Sequence, residues 1–168
     1  MSTEPEMSIE QFHRKMATDL FNGVWALLEK TDRNCAETDR MIHAAHASRF
    51  HWEFGGSPLN LAIGEWQCSR VHAVVGQPDA AVYHALRYLE LADDYALGAF
   101  HVGYAHEALA RAYLSKDPEK ASTHLARAHR AAAEVAEEDE RSLLEKDLAE
   151  LDTLLSQPAA TAPAATSA

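Results

Sequence analysis

One motif returns at a fixed step and limits what this chain can fold into. Thr38-Asp39-Arg40-Met41 comes back as Pro78-Asp79-Ala80-Ala81 and again as Pro118-Glu119-Lys120-Ala121, a period of 40 residues. Each copy puts an acidic residue where the first turn of a helix would lie, and two of the three carry a proline just ahead of it. Both suit a helix N-terminus, where the missing N–H of proline costs nothing and the dipole favours negative charge. Behind the start, Met41, Ala45 and Ser48 correspond to Ala81, Ala85 and Tyr88, and these to Ala121, Leu125 and Ala128. A spacing of four and then three is one face of a helix, here of mostly small side chains that let a neighbour approach closely. Recurrence at a period of roughly 20–50 residues signifies a stacked helical array.

Composition agrees. The 168 residues suffice for one domain with a core. Alanine is abundant, glycine and proline sit at boundaries and β-branched runs are missing, which predicts an all-α fold. The formal net charge of −11 argues against nucleic acid, whose phosphates need a basic stripe, and against acidic membrane surfaces. Cys35 and Cys68 have neither metal spacing nor the density of a secreted disulfide scaffold, and are read as reduced thiols. Met1 to Lys15 contains no apolar leader core and no long apolar span follows, so the expected location is cytoplasmic.

Taken in order, residues 1–7 read as a flexible lead. Ser8 and Gln11 form a capping box, and Phe12, Met16, Leu20, Val24, Leu27 and Leu28 follow at helical spacing to about Lys30. A second helix runs from about Cys35 to Phe54, with Gly55 and Gly56 expected to close it in a left-handed turn. Ser57 and Pro58 open a third that ends at Gly76. Pro78 starts a fourth, which fades near Asp93. A fifth spans about Ala96 to Ser115, with Leu97, Phe100, Tyr104, Ala108 and Ala112 on one stripe. Pro118 opens a sixth, and Asp139 is expected to cap a seventh ending near Leu155. The Ala/Pro/Thr tail, 156–168, is expected to be disordered. Short connections favour antiparallel neighbours, hence three hairpins over 8–54, 57–94 and 96–137. The seventh helix, 139–155, with Leu143, Leu144, Leu148, Leu151 and Leu155 along one edge, would cap the open end.

The third hairpin resembles the tetratricopeptide repeat. Leu109-Ala110-Arg111-Ala112-Tyr113 is similar to that family's Leu-Gly-x-x-Tyr step, and Ala121 with Leu125 to its Ala-x-x-x-Phe step. Cys68-Ser69-Arg70-Val71-His72 and Ala81 with Ala85 are weaker versions, Trp66 lies one place from the expected tryptophan, and the first hairpin keeps only Met41 and Ala45. The period is 40 rather than about 34, and the closing proline is missing, so the likeness is to longer-helix variants found in bacterial regulators and other bacterial proteins. The resemblance, over about residues 8 to 155, implies a right-handed array whose first helices line a concave groove.

Carried over, it sets Arg70 and Arg111 at equivalent groove positions on adjacent hairpins, with Trp66 and Glu107 four residues earlier and Tyr104 nearby. Two guanidinium groups can hold a carboxylate bidentately, and aromatic anchors beside arginine suit a peptide-binding patch. The plainer alternative pairs Arg70 and Arg111 with Glu65 or Glu107 as ion pairs worth little. A different reading starts from the ten histidines. His43, His46 and His51 crowd one helix, where Asp39, His43, His46 and Glu53 share a side. Imidazole with carboxylate can bind zinc, nickel or copper, so His43, His46, His51 and Glu53 form an alternative metal set, although no ligand-like spacing accompanies them. His84 and His124 occupy one repeat phase, which suggests a structural position between hairpins.

No Gly-rich phosphate loop, nucleophile elbow or His-Glu-x-x-His motif is present. If such an array hosted a reaction, His51, His72 or Glu107 would be its acid or base groups, and an enclosed pocket would mark it; an open groove would mark protein binding. The expected function is a non-enzymatic module for a protein or peptide partner, engaged in part through a carboxylate, with no cofactor. The uncovered side of the first hairpin offers contact with a second copy.

Overall fold

The computed structural model describes residues 7–157. The expected tail falls almost wholly outside these residues, and the expected flexible lead, 1–7, does so up to residue 6. Within them the chain forms seven α-helices and no strand: α1 (Ile9–Leu28), α2 (Cys35–Gly55), α3 (Pro58–Val74), α4 (Pro78–Asp94), α5 (Ala99–Tyr113), α6 (Pro118–Glu134) and α7 (Glu138–Ser156). None of the described helices is long and apolar enough to cross a membrane.

Local chemistry sets most boundaries. Ser8 with Gln11, Asn34 with Glu37 and Ser57 with Asn60 each complete a capping box, and Asp117 accepts from the Lys120 N–H at the start of α6. Three boundaries differ from the sequence expectation. α5 begins at Ala99 rather than Ala96, because Ala96 (φ 47°) and Gly98 (φ 92°) turn the chain through the left-handed region. Leu97 therefore leaves the α5 stripe and packs on the core from the connection. The residue capping α7 is Glu137, which puts Asp139 inside the first turn, where its charge still suits the dipole. At the end of α2, Gly56 is extended (φ −106°, ψ 170°), not left-handed. Gly55 is needed for another reason: a Cβ there would lie 3.0 Å from the Glu10 carbonyl oxygen and 3.1 Å from the Arg14 nitrogen, so its bare Cα lets α1 and α2 touch.

The repeat stripe is buried at every matched position. Met41, Ala45 and Ser48 on α2, Ala81, Ala85 and Tyr88 on α4, and Ala121, Leu125 and Ala128 on α6 all lie in the interior. Small residues bring neighbouring backbones together, and two hydroxyls exploit the closeness: Ser48 Oγ donates to the Ala17 carbonyl and Ser69 Oγ to that of Ala81, both at 2.8 Å. Each helix packs on its neighbours in the chain, most extensively α1 on α2, α3 on α4 and α5 on α6. Beyond these, α1 meets α3, α3 meets α5 and α5 meets α7, whereas among the described residues the backbones of α2, α4 and α6 stay apart and α2 meets α4 through side chains, the His46 and His84 rings lying 5.0 Å apart. The odd-numbered helices thus form a continuous row, and the backbones of the even-numbered ones pack against it without meeting one another. α7 seats Leu144, Leu148 and Leu151, all fully buried, against the end of this row. Burying each stabilises by about 1.5–3 kcal/mol.

Candidate functional site

The face along the odd-numbered row carries a ladder of aromatic rings. Trp25 of α1 lies 5.6 Å from Trp66 of α3, Trp66 lies 6.0 Å from Tyr104 of α5, and Tyr104 lies 4.9 Å from Phe100, centroid to centroid. These distances suit tilted and edge-to-face pairs. The rings line a cavity of about 680 Å³ together with Leu143 and Asp147 of α7 and with Glu29 and Ile63. Trp25 is 36% exposed and Leu143 51%, so apolar surface faces outward here. The Tyr104 hydroxyl donates to Asp147 at 3.0 Å, and burial beside that carboxylate pushes the phenol pKa up, keeping it a donor. Beside the cleft, the buried Trp66 Nε1 has no hydrogen-bond partner among the described residues.

Trp66 and Tyr104, expected to face the groove, line this cleft, while Arg70, Glu107 and Arg111 meet next to it. Glu107, with 2% of its side chain exposed, receives Arg111 Nε at 2.8 Å and Nη2 at 2.7 Å, and Arg70 Nη1 lies 3.7 Å away. Arg111 continues to Glu150 on α7 at 3.1 Å. Burial disfavours the Arg111 cation, yet Glu107 and Glu150 outweigh it and push its pKa up. The two guanidinium groups already hold a carboxylate, supplied by the chain itself. This is the ion-pair alternative in buried form, where loss of one partner matters far more than on a surface.

The histidines assemble differently from the expected set. His43, His46, His51 and Glu53 do not gather, because each of the last three is drawn to a different partner. His51 Nδ1 sits 2.8 Å from Nδ1 of His13 on α1, Glu53 pairs with Arg49 at 3.2 Å, and His46 turns toward α3 and α4. There one ring nitrogen from each of His46, His72 and His84 lies within 4.8 Å of the others. His46 Nε2 and His72 Nε2 are 2.9 Å apart, and the His72 and His84 rings are parallel to within 1°.

A second set of groups orients the three. His72 Nδ1 bonds Gln77 Oε1 at 2.7 Å, and His84 Nδ1 bonds Glu65 Oε2 at 2.6 Å. Glu65 Oε1 accepts from Arg49 Nε at 2.8 Å. Gly64 makes room for that arginine, since a Cβ would lie 2.8 Å from Arg49 Cδ. Burial opposes ionisation of Glu65, but the His84 hydrogen bond and Arg49 outweigh it and hold the carboxyl below its usual range. Burial likewise lowers the pKa of His46 and His72, favouring neutral rings.

His72 and His84 escaped the metal reading of the sequence because no ligand spacing links residues on three different helices. The one available signal was the shared phase of His84 and His124; the partners differ, for His124 Nδ1 lies 3.2 Å from Nδ1 of His106 whereas His84 Nδ1 bonds Glu65. Phe12, Phe50 and Phe54 are exposed around the His13–His51 pair, on the hairpin where contact with a second copy was expected. No protein-family model, curated protein or solved structure matches the chain.

Proposed function

We propose that the chain is a right-handed tetratricopeptide-like array acting as a non-enzymatic binding module, and that its aromatic cleft takes an apolar segment of a partner protein. The observation that carries this reading is the ladder Trp25–Trp66–Tyr104–Phe100, which runs across three odd-numbered helices with Trp25 exposed at one end and Phe100 partly buried at the other. Rigid aromatic rings give large contact area with little conformational entropy to lose, so they dominate binding energies. A cavity of about 680 Å³ has room for a few apolar side chains. Lys146 beside Glu29 and Asp147 offers polar groups to orient them. The Glu107–Arg111–Glu150 network, tying α5 to α7, supports the wall of the cleft rather than opening toward a ligand.

Selection from a random peptide library tests the reading. Selected peptides should converge on an aromatic or aliphatic anchor and lose affinity at least about tenfold on Trp25→Ala and on Leu143→Asp, a hot-spot-sized effect of about 1.4 kcal/mol or more. Failure to enrich any peptide, or binding indifferent to both substitutions, sinks it.

A further inference from the structure

We propose that His46, His72 and His84 form a site for one borderline transition-metal cation, with zinc the ion that the donor set fits best. The site is separate from the aromatic cleft, which none of the three lines, and does not depend on what that cleft binds.

The hydrogen bonds around the rings point to a cation at their centre. Gln77 Oε1 can only accept, so His72 carries its proton on Nδ1 and presents a bare lone pair at Nε2. The Glu65 carboxylate places the proton of neutral His84 on Nδ1 in the same way. Two of the three rings thus offer acceptors, and His46 Nε2, 2.9 Å from His72 Nε2, has one hydrogen to give and can satisfy one of them. A divalent cation satisfies all three at once if His46 shifts its proton to Nδ1.

Distances and surroundings agree with that role. A tetrahedral zinc at about 2.0–2.1 Å from each ligand sets its nitrogens about 3.3–3.4 Å apart. The His46–His72 nitrogens, at 2.9 Å, need to part by a few tenths of an ångström, and the third, within 4.8 Å, needs to close. Ligating histidines characteristically give their other N–H to a carboxylate or carbonyl oxygen, which raises basicity and holds the ring; Glu65 and Gln77 fill these places, with Arg49 fixing Glu65 in turn. The ligands come from α2, α3 and α4, so the ion would tie two successive hairpins together. Three neutral nitrogens leave the cation its full charge and one coordination position for water or an outside anion, the arrangement of an open zinc site.

Titration with zinc chloride of chain purified without a histidine tag and stripped with chelator tests the proposal. One zinc per chain should bind, and Co²⁺ in its place should give the intense visible bands of tetrahedral nitrogen coordination. His72→Gln and His84→Gln should each weaken zinc at least about a hundredfold, Gln77→Ala about ten- to a hundredfold, and His13→Gln not at all. If His84→Gln fails to fold, the cobalt spectrum together with His72→Gln and Gln77→Ala decides. Absence of stoichiometric binding at micromolar concentration, or binding unmoved by His72→Gln, overturns it.

Discussion

Nη2 of Arg111 lies 2.7 Å from Oε1 of Glu107, a carboxylate whose side chain is only 2% exposed. Such a pair contributes little beyond what well-packed apolar residues would, because desolvation offsets its attraction, but breaking it leaves a stranded charge. Arg111→Met should therefore destabilise the fold by about 3–5 kcal/mol in urea unfolding. Glu107→Met combined with Arg111→Met should recover much of that loss. Equal destabilisation by the single and the double substitution would remove the ion pair from the account.

Acid should weaken the interface of α5 and α6. Burial pushes the His106 pKa down from 6.5 to about 4, helped by His124, Arg127 and Arg130, and His124 is lowered as well. The folded chain therefore binds fewer protons than the unfolded chain between these values. Stability from this pair is complete above pH 6.5 and declines as pH falls toward 4. The His106 ring is only partly buried, so solvent screening limits the effect to about 1–2 kcal/mol. Urea midpoints followed through this window should fall, and His106→Gln should flatten the slope. An unchanged slope in that variant would place the proton uptake elsewhere.

The two thiols should differ sharply in reactivity. Burial pushes the Cys68 thiol up to about 12, whereas Cys35 is exposed at the first turn of α2. The thiolate is the reactive form, so native protein should titrate one thiol with a disulfide reagent, and denatured protein two. Fast modification of both in the native state would mean that the packing of α3 against α2 opens readily.

Much of the architecture was legible before any coordinates. The buried triplets at Met41, Ala81 and Ala121 follow from a helical period of 3.6 laid over a repeat of 40, and the caps at Ser8 and Ser57 follow from side-chain oxygens placed to accept orphan N–H groups. Where expectation and structure part, tertiary geometry is responsible. Gly55 looked like a left-handed terminator, but it is a contact point for Glu10 and Arg14 of α1, more than forty positions earlier in sequence. The α5 start moved from Ala96 to Ala99 because Ala96 itself takes a positive φ that its composition gives no reason to expect.

By itself, the sequence determined that residues 7–157 fold as helices without strands, where the seven helices among them fall to within a few residues, and which face of each repeated helix goes inside. These depend on local capping and on periodic side-chain placement, both of which are written within a helix length. Only the tertiary structure decided that Glu107 would lie between Arg70 and Arg111, that Trp25 would meet Trp66, and that His46, His72 and His84 would converge. Those juxtapositions depend on how one helix is rotated against another, and that rotation is set by packing the whole core together.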